Sequence, residues 1–255
     1  MYSLYYFLRL RYVGDNFRGF QYQPGLRTVQ SVLTEAFGEL FGNEVLVKGC
    51  SRTDSGVHAN DYCITVLTPE YAPDIPPEKL PFAVKRYLPE DISVYSAEYA
   101  PDNFHVRHDV KYKEYLYLVD NSPVPDPFYT RRSWQYLYPL PEESDIIMHN
   151  AGQYLVGTHD FSSFMAEGSE VASRVRTIFY INVKKSILKS KLFEIRVAGD
   201  GFLYNMVRII AGTLVDVAAG RKKTEDIPEI LKKCDRKYAG MTAPPEGLYL
   251  NRVVY

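Results

Sequence analysis

The segment Thr28–Gly49 reads TVQSVLTEAFGELFGNEVLVKG. Its apolar residues recur at spacings of three and four, which is typical of one stripe of an amphipathic helix. They are Val29, Val32, Leu33, Ala36, Phe37, Leu40 and Phe41. Thr28 is a suitable N-cap and Gly42 a suitable stop, so we predict a helix over Thr28–Phe41. The apolar, β-branched stretch Val45–Gly49 then predicts a strand.

Working outward, the same patterns predict the other elements of the chain. In the first half, we predict further strands at Tyr2–Val13, Tyr62–Leu67 and Ile92–Tyr99, and a second helix at Pro77–Tyr87. In the second half, we predict strands at Tyr112–Val119, Arg176–Val183, Leu192–Val197 and Leu248–Tyr255, and helices at Glu142–Leu155, Tyr204–Ala219 and Thr224–Lys233.

Each half follows the order β-α-β-β-α-β, with insertions in the second. We therefore expect an α+β fold of two ferredoxin-like (RRM-like) halves, residues 1–103 and 104–255. The halves are expected to share a mixed, mainly antiparallel central sheet with a cleft between them.

The charge balance argues against a generally basic protein. Lys and Arg number 30 and Asp and Glu number 31, for a net charge of −1. A polyanion would need a local basic surface. The candidate basic groups are Arg18, Lys113, Arg131, Arg132, Lys184, Lys185, Lys189, Lys191, Arg221, Lys222 and Lys223. We expect neither a signal peptide nor a membrane span, because no apolar run is long enough. Three scattered cysteines favour a reduced, cytoplasmic compartment over a disulfide framework or zinc site.

The segment Gly49–Ala59, GCSRTDSGVHA, carries the most specific chemistry. A strand leads into a turn that contains Asp54 and Gly56. Arg52 and Asp54 are two residues apart, so along extended backbone they point to the same side. For an isolated R-x-D-x-G, an Asx turn around Asp54 with a solvated Arg52 would be the better interpretation. The complete eleven-residue pattern is far more specific.

That pattern resembles the signature loop of the tRNA pseudouridine synthase A family. Further blocks resemble the family in the same order and span residues 19 to 248. They are GFQYQ (19–23), TVQ (28–30), FHVR (104–107), KEYLY (113–117), GTHDFSSF (157–164), RTI (176–178), GFLYNMVR (201–208) and PPEGL (244–248). One departure is Ser55, where Ala is more usual, although a small residue should preserve the loop.

The resemblance implies an isomerase that converts uridine to pseudouridine without a cofactor. Asp54 would be the nucleophile, attacking either C1′ of the sugar or C6 of the base, two alternatives that the sequence leaves open. Arg208 would keep Asp54 ionised, because a nearby guanidinium favours the carboxylate form. Tyr115 would stack on the base and assist removal of the C5 proton. An ordinary packing role for Tyr115 is the competing interpretation, in a chain with 22 tyrosines.

The resemblance also implies how the substrate is held. The target uridine must leave its stack, and Arg52 would fill the vacated space or hold the adjacent phosphate. Leu203 and Leu248 would wall the base pocket, although both are equally consistent with ordinary core. The family implies tRNA nucleotides 38, 39 and 40 in the anticodon arm as targets, and a homodimer. No metal site is expected, because the five histidines lack ligand spacing.

Three alternatives compete with this interpretation. The first is a synthase of the same fold that modifies other RNA positions. The second is an RNA-binding module of two RRM-like halves without chemistry, which the absence of an RNP1-type aromatic run disfavours. The third is a ferredoxin-like enzyme acting on a small metabolite, which would leave Arg52, Asp54 and Arg208 unexplained.

Overall fold

Helix α1 (Val29–Phe41) follows the strand β1 (Tyr2–Tyr12) and begins with a capping box. The Thr28 hydroxyl accepts a hydrogen bond from the Ser31 backbone N–H at 3.1 Å, and the Ser31 hydroxyl accepts one from the Thr28 N–H at 3.0 Å. Gly42, in the left-handed region, ends the helix. This computed structural model describes residues 2–168 and 171–255. The predicted helix and both of its ends are confirmed.

The chain divides into two units, one running to Lys111 and including Tyr249–Tyr255, the other covering Tyr112–Leu248. The remaining elements of the first unit are β2 (Leu46–Gly49), β3 (His58–Pro69), α2 (Leu80–Val84) and β4 (Ile92–Tyr99). Short 3-10 helices lie at Gly14–Asn16, Pro77–Lys79 and Lys85–Tyr87. Strand β1 pairs antiparallel with both β3 and β4, and β2 pairs antiparallel with β3.

The second unit contains the strands β5 (Tyr112–Asp120), β6 (Trp134–Gln135), β7 (Gly157–Asp160), β8 (Val175–Lys185) and β9 (Leu192–Gly199). Its helices are α3 (Ser144–Gln153), α4 (Met206–Ala218) and α5 (Asp226–Lys233), with 3-10 helices at Ser162–Phe164, Arg236–Tyr238 and Pro245–Gly247. Strand β9 pairs antiparallel with β5 and β8, and β8 pairs antiparallel with β7.

The last strand, β10 (Leu248–Val254), returns to the first unit. Its residues Tyr249 and Leu250 pair in parallel with His58 and Ala59 at the start of β3. The α+β class with mainly antiparallel pairing is therefore confirmed. The division into two ferredoxin-like halves stays a prediction.

Several predicted boundaries were wrong. Strand β3 begins at His58 rather than Tyr62, because His58 and Ala59 pair with β10, a strand distant in sequence. The helix predicted at Pro77–Tyr87 is α-helical only over Leu80–Val84, with a 3-10 turn on either side. Pro81 lies in its first turn, where the absent N–H costs nothing. Strands β6 and β7 were not predicted.

Tyr6 marks the centre of the first unit's core. Its side chain is fully buried, and its hydroxyl donates to the Ile75 carbonyl oxygen at 3.0 Å. Burial raises the pKa of Tyr6 to about 12, because the phenolate would lose its hydration. Its ring stacks on those of Phe41 and Tyr99, with centroids 6.0 and 5.4 Å away. These contacts join β1 to the end of α1 and to β4.

Candidate active site

The Asp54 loop, residues 50–57, connects β2 to β3 and is held by hydrogen bonds from distant segments. The Phe20 N–H donates to the Thr53 carbonyl oxygen at 3.1 Å, and the Thr53 and Tyr12 hydroxyls are 2.7 Å apart. Both of these hydroxyl-bearing side chains are buried. Thr53, the residue before Asp54, is therefore fixed through its main chain and its side chain.

The other end of the loop is fixed in the same way. The Val57 N–H donates to the Asp54 carbonyl oxygen at 3.2 Å, closing the turn. The Ser55 hydroxyl donates to the Phe17 carbonyl oxygen at 3.1 Å. His58, which is buried, accepts from the Gly14 N–H through Nδ1 at 2.9 Å. Asp54 itself is half-buried. Such a loop can hold a carboxylate in a fixed position without enclosing it.

Gly19 allows the segment 17–20 to approach this loop. Its φ is +85°, and a Cβ at this position would lie only 2.6 Å from the Thr53 carbonyl oxygen. A side chain here would therefore push against the backbone that precedes Asp54. The GFQ motif is thus part of the support of the Asp54 loop.

Arg52 lies on the same loop and is exposed. It lines a 240 Å³ pocket in the first unit together with Gln21, Lys48 and Arg107. Arg52 and Asp54 lie on the same loop, but Asp54 is not among the residues that line this pocket. Lys48 and Arg107 were not predicted to lie beside Arg52. The FHVR block was the only sequence signal that pointed to Arg107.

The other four predicted site residues lie in the second unit. Tyr115 lies on β5 and is 6% exposed, and its ring meets that of Phe202 edge-on at 5.0 Å between centroids. Leu203 and Leu248 are also buried. Burial alone does not distinguish pocket wall from core for these two leucines.

Arg208 lies in the first turn of α4 and is oriented by two hydrogen bonds. Its Nε donates to the Ala243 carbonyl oxygen at 2.7 Å, and its Nη1 donates to Asn205 Oδ1 at 2.7 Å. The Ala243 N–H donates in return to the Arg208 carbonyl oxygen at 3.2 Å. These hydrogen bonds hold the planar guanidinium group in a fixed orientation.

The segment 243–248 connects Arg208 to the strand that carries Tyr115. Next to Ala243, the Pro244 carbonyl oxygen accepts a hydrogen bond from the Tyr117 hydroxyl at 2.7 Å. Tyr117 is two residues from Tyr115 on β5 and is fully buried, and burial raises its pKa well above the usual value. The hydroxyl therefore stays protonated as a donor. Leu248 ends this segment. The segment therefore contains Leu248, contacts Arg208 directly and contacts the strand of Tyr115 through Tyr117.

Most of the predicted basic clusters are engaged with carboxylates instead. Lys189 lies 2.8 Å from Asp120 and 3.2 Å from Asp126. Similar ion pairs join Lys184 to Glu194, Lys185 and Lys191 to Glu142, and Arg221 to Asp216. These side chains are therefore weaker candidates for RNA contacts than the sequence indicated.

Across residues 2–168 and 171–255, no group of three or more His, Cys, Asp or Glu side chains is arranged to hold a metal ion. Over the same residues, no helix has both the length and the apolar character needed to cross a membrane.

Comparison with known proteins identifies relatives over nearly the whole chain. The family described as tRNA pseudouridine synthase matches residues 10–109 and 151–255. The tRNA pseudouridine synthase A of Thermoanaerobacter sp. (strain X514) is 43% identical over 246 residues, 96% of this chain and 97% of the relative. That of Bacillus subtilis (strain 168) is 42% identical over 248 residues, 96% of this chain and 97% of the relative.

A solved Cbf5–Nop10–Gar1 complex is a far more distant match, at 12% identity and a TM-score of 0.36, covering 95% of this chain and 57% of that chain. The assignment depends on the family match and on the relatives above 40% identity. On that evidence, the chain belongs to the tRNA pseudouridine synthase A family, a family of isomerases.

Proposed function

We propose that this enzyme isomerises uridine to pseudouridine at nucleotides 38, 39 and 40 of the tRNA anticodon stem-loop, with Asp54 as its nucleophile. The observation that carries the proposal is the support of the Asp54 loop, where Thr53 and Ser55 on either side of Asp54 are both hydrogen-bonded to residues 12–20. A nucleophile held in this way loses little entropy on reaching the transition state.

The reaction breaks the N1–C1′ bond and forms a C5–C1′ bond. The carboxylate of Asp54 adds to C1′ or to C6 and is released again, so the enzyme is regenerated. The C5 proton leaves and N1 ends the reaction protonated, which balances the isomerisation without an oxidant or a co-substrate. Tyr115 is proposed to stack on the base and to assist removal of the C5 proton.

Arg208 is proposed to keep Asp54 ionised. A guanidinium near a carboxylate favours the charged form, which is the nucleophilic one. The two hydrogen bonds that orient Arg208 support this role, because they fix the position of the guanidinium group. A double-mutant cycle between Asp54→Asn and Arg208→Lys, measured by the free energy of unfolding, tests the pairing. If the guanidinium pairs with the carboxylate, Arg208→Lys should cost less stability in the Asp54→Asn variant than in the wild type.

Leu203 and Leu248 are proposed as apolar walls around the flipped base, and Arg52 as a substrate contact. We also propose a cytoplasmic homodimer in which one tRNA touches both subunits. A near-neutral chain is compatible with this, since two modest basic surfaces can combine. Sedimentation of the free protein and of its tRNA complex tests the dimer.

The decisive experiment is tritium release from C5-labelled uridine in tRNA transcripts. Asp54→Asn keeps the shape of the side chain and removes the nucleophile, so release should fall to background while tRNA binding persists. Asp102→Asn, which changes an exposed carboxylate elsewhere in the first unit, is the matched control and should release tritium at the wild-type rate.

The outcomes separate the alternatives. Turnover by Asp54→Asn within tenfold of wild type would remove Asp54 from the nucleophile role. Absence of release by the wild-type enzyme from any tRNA would refute the activity. Mapping of modified positions in RNA from a deletion strain then distinguishes nucleotides 38–40 from other RNA positions.

A further inference from the structure

A pocket beside the Asp54 loop concentrates positive charge that the reaction itself does not require. Its volume is 240 Å³, and its walls include Gln21, Lys48, Arg52, His105 and Arg107. No Asp or Glu lines it. This contrasts with the whole chain, where acidic residues slightly outnumber basic ones.

The three cations of this pocket are available to a ligand. Lys48, Arg52 and Arg107 are all exposed, and none forms an ion pair with a carboxylate in residues 2–168 or 171–255. The lysines of the second unit, by contrast, are largely neutralised by Asp and Glu. An anion entering this pocket would therefore not have to displace an internal partner.

The size and chemistry of the pocket favour a phosphate group. Pockets that bury a complete small molecule usually measure about 300–1,000 Å³, so 240 Å³ suits only part of a nucleotide. Two guanidinium groups can donate to phosphate oxygens in a bidentate manner, and an ammonium adds a point charge. The amide of Gln21 offers a further donor at the rim.

The support of the pocket is shared with the Asp54 loop. The Phe20 ring, which lines the pocket, stacks on Tyr62 with centroids 4.6 Å apart. The Tyr62 hydroxyl donates to the Ser51 carbonyl oxygen, and the Phe20 N–H donates to that of Thr53. A group bound in the pocket is therefore held in a fixed relation to Asp54.

The turn at residues 105–108 positions the third cation. His105 Nδ1 lies 3.2 Å from the Arg107 N–H and 3.3 Å from the His108 N–H, and accepts from both. The Asp109 carboxylate accepts from the His105 N–H at 2.8 Å. The backbone that carries Arg107 is thus fixed by side chains of its own turn.

We infer that this pocket binds a backbone phosphate of the RNA substrate, next to the target uridine, through Lys48, Arg52 and Arg107. The inference rests on the proposed function and adds a specific subsite to it. Holding the flanking phosphate would keep the strand in place while the uridine leaves the stack.

The test measures binding of an anticodon stem-loop RNA at several salt concentrations between about 50 and 200 mM. Lys48→Ala and Arg107→Ala should each lower affinity roughly tenfold at fixed salt. Each should also reduce the slope of log K against log salt by about 0.7–0.9, the loss of one phosphate contact. Lys79→Ala, an exposed lysine of the same unit outside the pocket, should change neither quantity.

A second arm locates the phosphate. RNAs carrying a single neutral methylphosphonate, placed in turn at each linkage flanking the target uridine, are compared on wild type and Arg107→Ala. One linkage should weaken binding by the wild type more than binding by Arg107→Ala, which has already lost one of the three contacts to that phosphate. Additive losses at every linkage, or unchanged salt slopes in both pocket variants, would overturn the inference.

Two controls keep the interpretations separate. Inorganic phosphate, added at constant ionic strength, should compete only weakly with the RNA. If it competes at submillimolar concentration, and if Lys48→Ala abolishes that competition without changing RNA binding, the pocket is a free-phosphate site and the inference is overturned. Tritium release by the wild type is measured in parallel. Its absence would refute the proposed function, whereas normal release with unchanged slopes would refute the subsite alone.

Discussion

Gly19→Ala should damage both stability and turnover, because the new methyl group meets the backbone of the Asp54 loop. The added Cβ would lie 2.6 Å from the Thr53 carbonyl oxygen, so one of the two segments has to move. The left-handed backbone, at φ +85°, costs an alanine about 1–2 kcal/mol, partly offset by the stiffer unfolded chain. Losing the 3.1 Å hydrogen bond from Phe20 to Thr53 adds about 1 kcal/mol. We expect a total destabilisation of about 1–3 kcal/mol.

Gly25→Ala is the matched control. Gly25 has a similar φ of +74°, yet a Cβ there meets no atom within 4 Å. Both variants place an alanine in left-handed backbone, so the difference between their free energies of unfolding measures the effect of the contact with Thr53. Gly25→Ala should lose about 1 kcal/mol or less and keep its turnover.

Urea unfolding and single-turnover tritium release measure the two effects. A shift of the Asp54 loop by a large fraction of an ångström should lower the rate of Gly19→Ala about a hundredfold at saturating RNA. Equal destabilisation of the two variants, together with an unchanged rate for Gly19→Ala, would refute the argument that Gly19 supports the loop.

Three further outcomes follow from single contacts. Ser55→Ala should lose about 1 kcal/mol in urea unfolding, since its hydrogen bond to Phe17 disappears, and should lower the tritium-release rate far less than Gly19→Ala, because the Thr53 contacts still hold the loop. Arg208→Lys should lower the tritium-release rate strongly and the free energy of unfolding only slightly, because an ammonium cannot reproduce the guanidinium geometry. A variant with full activity and low stability would indicate that Arg208 forms a structural pair only. The free energy of unfolding should fall as the pH rises from about 10 to about 12, because Tyr6 ionises in the unfolded chain while it stays neutral in the folded protein. Urea unfolding of Tyr6→Phe over this pH range should show a shallower fall, since up to one fewer proton is released on unfolding.

Elements with a strong periodic pattern were predictable from sequence alone. Helix α1 begins and ends where its stripe, N-cap and stop residue predicted, and β4 has the predicted bounds. Strand β6 was missed because its two residues, Trp134 and Gln135, are too short for alternation to be visible. What makes them a strand is parallel pairing with Val119 and Asp120, a long-range contact.

The candidate site shows the same division between local and distant information. Arg52 and Asp54 could be predicted as site residues because the residues of the signature loop are contiguous in sequence. Lys48 and Arg107 line the pocket beside Arg52 although 59 positions separate them in sequence, and no spacing rule relates them. Conversely, Lys184 and Lys185 were candidate RNA-contacting groups, but Glu194 on the neighbouring strand and the more distant Glu142 pair with them.

The Asp54 loop has a consequence for how the first unit folds. Its hydrogen bonds to Tyr12, Phe17 and Gly14 join residues 41, 38 and 44 positions apart. Such contacts become favourable only after the intervening chain has closed, which carries an entropy cost that local contacts do not have. The loop should therefore order late, after β1 and β3 have paired. Molecules that have collapsed without completing this step would contain most of the secondary structure and still lack a formed catalytic loop.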